Sequence, residues 1–162
     1  MTDDAPTLLI CFDGSERAAH AVAVTAKLFP GAHAHVLNVW EPIERIVARY
    51  AALGPYFGDG VGDADVGLES DSSGVAEAGA KLASDAGLDA TAHTATLRTS
   101  VWEAVVEAAD ELDVDAIVTG TRSLRGVREV LSNTLSHALM QNSKRPVLAI
   151  PAPAAAAETH SD

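Results

Sequence analysis

Cysteine, cations and aromatic residues are all scarce in this chain of 162 residues. The single cysteine, Cys11, excludes an intrachain disulfide and a thiolate cluster for a metal. Lys and Arg number 11 against 23 Asp and Glu, a formal charge of −12. Nonspecific nucleic-acid affinity comes from neutralising phosphates with surplus cations, so nucleic acid is excluded as the main partner. Aromatic residues make up 4% of the chain, which leaves Trp40 and Trp102 as core or rim residues rather than platforms for stacked bases. The apolar run near the start, Leu8 to Phe12, follows two acids and no basic segment and is far too short for a signal peptide or a membrane span. The expectation is a cytoplasmic protein with no membrane partner.

The most legible nucleotide and catalytic signatures are missing as well. No G-x-x-x-x-G-K-[ST] occurs and no G-x-G-x-x-G follows a strand, which argues against a P-loop NTPase and a classical dinucleotide enzyme. His20, His33, His35, His93 and His137 make no close ligand set with helical metal spacing, so no metal site is expected. Spacing nominates neither a Ser-His-Asp set nor a carboxylate pair, so no catalytic residue is named.

What the chain does have is 48% apolar residues in an ordered alternation. Its length suits one domain of about 100–200 residues, with no need of a covalent staple. Leu8 to Phe12 reads as a strand buried on both faces and ending at Asp13-Gly14. Ser15 can cap a helix that runs until Pro30-Gly31, with Ala18, Ala19, Val22, Ala23 and Ala26 on its apolar stripe. A second strand follows at His35 to Trp40. Between Glu41 and Ser73, glycines scattered among acids suggest a loop that could lie over a site, after a short helix at Ile43 to Leu53. A helix from Ser73 to Ala86 leads to a weak strand, Ala90 to Leu97. The clearest helix comes next, capped by Ser100, with Val101, Ala104, Val105, Ala108, Ala109 and Leu112 at helical spacing. Ala116 to Val118 is a short strand ending at Thr119-Gly120, a helix rises after Asn133, and Pro146 to Ile150 is the last strand. The domain is expected over residues 1–151, with residues 152–162 a disordered tail poor in bulky apolar side chains.

This alternation predicts an α/β fold, an open five-stranded parallel sheet with helices on both faces and right-handed crossovers. Ligands on such sheets bind beyond the carboxyl ends of the strands where the strand order reverses. Here that means Asp13-Gly14-Ser15 and the loop from Gly120 to Ser136. The loop ends at a helix N-terminus, whose unpaired N–H groups and dipole suit an anion, and Ser132, Thr134 and Ser136 add hydroxyls. Arg122, Arg125 and Arg128 bring three of the eleven cations together there. They either serve the anion or pair with neighbours such as Glu129.

Strand-Asp13-Gly14-Ser15, the turn Val39-Trp40-Glu41-Pro42 and the closing run from Ser136 to Pro151 together resemble the universal stress protein family, over about residues 7 to 151. The resemblance implies a Rossmann-like, adenine nucleotide alpha hydrolase-like fold that binds ATP or a related adenine nucleotide. The family's loop, G-x-x-G, nine residues, then G-[ST], keeps its spacing from Gly120 to Thr134, but Ser123 and Asn133 replace two of its three glycines. Asn tolerates a left-handed conformation and caps helices; Ser123 adds a Cβ and a hydroxyl that can either obstruct a phosphate or bond to it. Carried across, the pattern sets Asp13 and Ser15 beside the adenosine, Cys11 in the base pocket, the Val39 backbone against adenine and Gly120 against ribose and phosphates. Arg122, Ser123, Asn133, Thr134, Leu135 and Ser136 fall in the phosphate loop. Asp13 could help hold a phosphate-bound Mg²⁺. Read without the resemblance, Asp13 is equally a helix-initiating carboxylate and Cys11 a small buried residue.

Three functions remain open: a stress-response nucleotide-binding module acting by occupancy, an interaction protein of the same fold whose altered loop no longer binds nucleotide, and, least supported, an enzyme. The last strand should lie at a sheet edge, and the resemblance implies a homodimer through Val147 to Ile150.

Overall fold

The computed structural model describes residues 5–51, 61–121 and 134–153, and the side chains of those residues other than 49–51 and 61–68. In chain order the elements are β1 (Thr7–Cys11), α1 (Glu16–Leu28), β2 (His33–Trp40), α2 (Ile43–Ala51), α3 (Val61–Asp85), β3 (Asp89–Thr96), α4 (Val101–Glu111), β4 (Ala116–Thr121), α5 (Leu135–Asn142) and β5 (Val147–Pro151). The strands form one five-stranded sheet in the order β3-β2-β1-β4-β5, every pair parallel. The sequence of alternating elements thus becomes the expected doubly wound sheet, and β5 is one of its edges.

Why β1 is a continuous apolar run is visible in its two faces. Leu8, Ile10 and Phe12 enter a core shared with α1 and α3, while Leu9 enters a second core with Val105, Ala108, Ala109 and Leu139 of α4 and α5. Alternating side chains of one strand therefore seed both layers. Many helix residues in these cores are alanine, among them Ala18, Ala21, Ala80, Ala83 and Ala109, so the helices lie close to the sheet. No helix among the described residues is long and apolar enough to cross a membrane.

The sequence expectation fails most in the stretch before Ser73. Residues 61–73 are not a loop but the first half of α3, which runs 25 residues through four glycines. Each interior glycine costs a helix about 1 kcal/mol relative to alanine. Tertiary contact offsets this: Ala76, Ala80 and Ala83 are buried, and the hydroxyl of buried Ser72 donates to Asn38 Oδ1 at 2.6 Å. Residues 52–60, the remainder of the expected loop, lie outside the described residues, as does the tail beyond residue 153. β4 also runs further than Val118, because β5 continues to pair with it as far as Thr121↔Pro151.

The turn after α4 rests on Arg145. Asp113 there is left-handed, with φ 48°. The Arg145 guanidinium donates through Nη1 to the Val114 carbonyl, through Nε to Asp110 Oδ1 at 3.3 Å and through Nη2 to Asp113 Oδ1 at 3.3 Å. Both carboxylates are mostly exposed, so the fork is worth less than three charged bonds in a core. Arg145→Ala is expected to lower stability by about 1–2 kcal/mol in urea titration, and Arg145→Lys to recover little of it, because an ammonium cannot span the three acceptors.

Candidate functional site

β1 pairs with β4 only from Leu8↔Ala116 to Ile10↔Val118. Beyond that point β1 turns away into α1, whereas β4 continues beside β5 and β2 continues beside β3. The strands part, and a cleft of about 510 Å³ opens over the gap. This is the reversal of strand order at which open parallel sheets bind ligands.

The floor and one side of the cleft come from β1. Gly14 takes a left-handed φ of 78°, letting the chain reverse from strand into helix within two residues. Ser15 caps α1, its hydroxyl accepting the Ala18 N–H at 3.2 Å, while Asp13 Oδ1 accepts the Ser15 N–H at 3.0 Å and the Ser15 hydroxyl at 2.5 Å. Asp13 Oδ2 faces Arg17 Nη2 at 3.6 Å, with 61% of the Asp13 side chain exposed. Burial pushes the Asp13 carboxyl up, but the two Ser15 bonds and the Arg17 guanidinium outweigh it and hold the group below its ordinary value. Asp13 thus organises the start of α1 with one oxygen, while its other oxygen faces Arg17 at the edge of the cleft.

Cys11 lines the inner wall beside the second core. Burial, with the Asp13 charge adding to it, pushes its thiol up to about 12, so at neutral pH it is an inert thiol rather than a nucleophile. Leu37 and Val39 of β2 and Val101 and Val105 of α4 complete an apolar wall. Opposite stand the polar groups of Thr119 and Thr121 and of the α5 start, where Thr134 accepts the His137 N–H at 3.3 Å and lies 3.1 Å from the Ser136 hydroxyl. One side is apolar, and the other presents hydroxyls at a helix N-terminus.

Cys11, Asp13, Ser15, Val39, Gly120, Thr134, Leu135 and Ser136, nominated from sequence, all line this one cleft. Arg122, Ser123 and Asn133, with Arg125 and Arg128, lie outside the described residues. Sequence reasoning missed Arg17, Asn38 and the two valines of α4. Arg17 had a signal, its i,i+4 spacing from Asp13. Val101 and Val105 were read only as core stripe. Asn38 had none: its Nδ2 donates to the Phe12 carbonyl at 2.8 Å and its Oδ1 receives Ser72, a chain of contacts that ties the strand before Asp13 to α3. Gly120 needs its own reason. A Cβ there would stand 2.8 Å from the Arg17 carbonyl oxygen, so the absence of a side chain is required by α1 whether or not a ligand is bound.

Residues 6–151 match the model of the Universal stress protein family. A search of curated proteins gave no match. Among solved structures, the chain is similar to a universal stress protein family member from Burkholderia pseudomallei, with 18% identity over 94% of this chain and 100% of that one and a TM-score of 0.66. A universal stress protein from Archaeoglobus fulgidus, solved in complex with dAMP, is 16% identical over 91% of this chain and 98% of that one, TM-score 0.58. A member from Arabidopsis thaliana with AMP bound is 13% identical over 97% and 100%, TM-score 0.61.

Proposed function

The chain belongs to the universal stress protein family, and from that premise we propose that the cleft between β1 and β4 binds ATP or a related adenine nucleotide. The observation that carries this reading is the division of the cleft into an apolar wall and a hydroxyl-lined helix start, which suits a planar base at one end and an anion at the other. Adenine would lie against Val39, Val101 and Val105, the adenosine beside Asp13, and the phosphates over Gly120 toward Thr134 and Ser136. The two relatives solved with AMP and dAMP support the ligand class. Asp13 is the one carboxylate among the described lining residues. A Mg²⁺ brought in by the phosphates would have its Oδ2 as protein ligand, once turned from Arg17.

Asp13, held below its ordinary pKa by Ser15 and Arg17, is a weak general base, and this favours action by occupancy rather than by turnover; the reading is completed by a stress-response role in the cytoplasm. Titration with a fluorescent ATP analogue tests this. Asp13→Ala is expected to weaken binding about tenfold or more, on the order of 1.4 kcal/mol. Asp13→Asn keeps an acceptor for Ser15 and isolates the effect of charge. No binding to wild-type protein at millimolar ATP would leave the alternative, an interaction protein whose loop is altered at Ser123 and Asn133.

The same reading includes a homodimer through β5. Ile117 donates to the Pro146 carbonyl at 2.9 Å and Ala152 to the Thr121 carbonyl at 3.0 Å. In a parallel ladder this alternation turns the N–H and C=O groups of Val147 and Ala149 outward to the free edge. Two such edges can meet antiparallel about a twofold axis. Val147→Pro removes an outward donor while sparing the β4 ladder. A monomeric, folded variant and a dimeric wild type are expected in sedimentation velocity; a variant that stays dimeric puts the contact elsewhere.

A further inference from the structure

Away from the cleft, one face of the β2–β3 pair gathers imidazoles. The register sets His33 opposite Asp89, His35 opposite Thr91 and Leu37 opposite His93, and the period of two along each strand turns all six to the same side of the sheet. Leu37 packs into the core beneath α4 and α5, and the histidines continue that face beyond it. His33 is engaged by Asp89, Nδ1 to Oδ2 at 2.7 Å. His35 and His93 have each other: His35 Nδ1 lies 2.9 Å from His93 Nε2, with ring centroids 4.8 Å apart and planes inclined at 66°. Both are half-buried.

We propose that His35 Nδ1 and His93 Nε2 form a two-imidazole site for a divalent transition ion that favours right-angled coordination, Cu²⁺ or Ni²⁺. Imidazole is a ligand of choice for both. Two nitrogens each about 2.0–2.1 Å from one ion stand about 2.9 Å apart when they are cis at a right angle, and about 3.3–3.4 Å apart on a tetrahedral ion. The observed 2.9 Å matches the cis pair and is also the length of the N–H···N bond that joins the rings without an ion, so on binding the two nitrogens keep their separation while the rings turn their lone pairs to converge on one ion. Burial, and for His35 the neighbouring His93 and His33 as well, holds both rings below the ordinary imidazole range, so no proton need be displaced by the ion at neutral pH.

In the ion-free pair one ring donates its N–H to the other's lone pair. Ligation needs a lone pair on both facing nitrogens, so the proton of the donor ring moves to its far nitrogen, leaving the two ring protons on His35 Nε2 and His93 Nδ1. That is a change of tautomer with no net proton released. Among the described residues no group of three or more His, Cys, Asp or Glu is placed to hold a metal ion. Water therefore fills the remaining positions, and the ion stays exchangeable. The site lies upstream of Leu37 and Val39 on the strand that lines the cleft, and it does not depend on what the cleft binds.

The test uses the full chain without an affinity tag, titrated calorimetrically with CuSO₄, NiCl₂ or ZnCl₂ alone near pH 7.5. One Cu²⁺ per chain is expected at the tight site, with electron paramagnetic resonance of that form showing two nitrogen couplings. His35→Gln and His93→Gln should each weaken Cu²⁺ and Ni²⁺ about tenfold or more, whereas His33→Gln, His20→Gln and His137→Gln should not. Should a variant fail to fold, paramagnetic broadening in the wild type decides: Cu²⁺ is expected to erase amide signals of residues 33–37 and 91–95 first. Absence of ion binding, tight binding that survives in folded His35→Gln and His93→Gln, broadening centred elsewhere, or Zn²⁺ binding tighter than both other ions would overturn the proposal.

Discussion

Gly120→Ala is expected to destabilise the fold by about 1–3 kcal/mol, the usual cost of adding atoms to a packed contact, and Gly120→Val by more. The new Cβ would stand 2.8 Å from the Arg17 carbonyl oxygen, 3.1 Å from its carbon and 3.5 Å from the Ala18 nitrogen. These are backbone atoms of the first turn of α1, and no rotamer change relieves them. α1 must shift as a body, taking with it Ser15, Arg17 and the turn that holds Asp13. Urea denaturation should show the lost stability, and titration with a fluorescent ATP analogue should show weakened binding in the same variants. If Gly120→Ala kept wild-type stability while losing nucleotide, the glycine would be held for a ligand rather than for the helix.

A second large effect is expected from Gly79→Val on α3. A Cβ at this position meets Phe12 Cδ1 at 2.6 Å, Phe12 Cγ at 2.7 Å and Val36 Cγ1 at 2.8 Å. Both neighbours are buried in the core between the sheet and the α1 and α3 layer. Alanine would regain about 1 kcal/mol of helix propensity against this crowding. Valine regains little of it and adds two methyl groups, so about 2–3 kcal/mol should be lost. Phe12 lines the cleft and its carbonyl is held by Asn38, so displacement of its ring should also lower ligand affinity. Thermal denaturation of Gly79→Ala and Gly79→Val side by side separates the two contributions: a loss for alanine, whose Cβ already meets Phe12 and Val36 but which recovers helix propensity, and a larger loss for valine. Equal stability of valine and wild type would mean that α3 stands further from β1 than these distances.

The alternating elements, their order and the caps Ser15 and Ser100 could be read from the chain alone, because each depends on residues within one or two turns of itself; the cap of α5 is Thr134, not the Asn133 before it. So could the ends of β1 and β4 as the two sides of a cleft, since a parallel sheet of this connectivity has few places for the strand order to reverse. The stretch 61–73 could not: its glycines say loop locally, and it is helical because α3 packs, further along, on Phe12 and Val36. The extension of β4 through Gly120 and Thr121 depends on a partner strand some thirty residues later. The reason for Gly120 lay in α1, not in its own loop.

Two arrangements were decided by tertiary structure alone. Ser72, Asn38 and the Phe12 carbonyl form one hydrogen-bonded chain from three distant segments, and His35 meets His93 across 58 residues of sequence. Residue type and local period determine what an element is and which face it buries. Which side chains then touch depends on strand register and helix approach, quantities set by the sum of non-local contacts and absent from any window of the sequence.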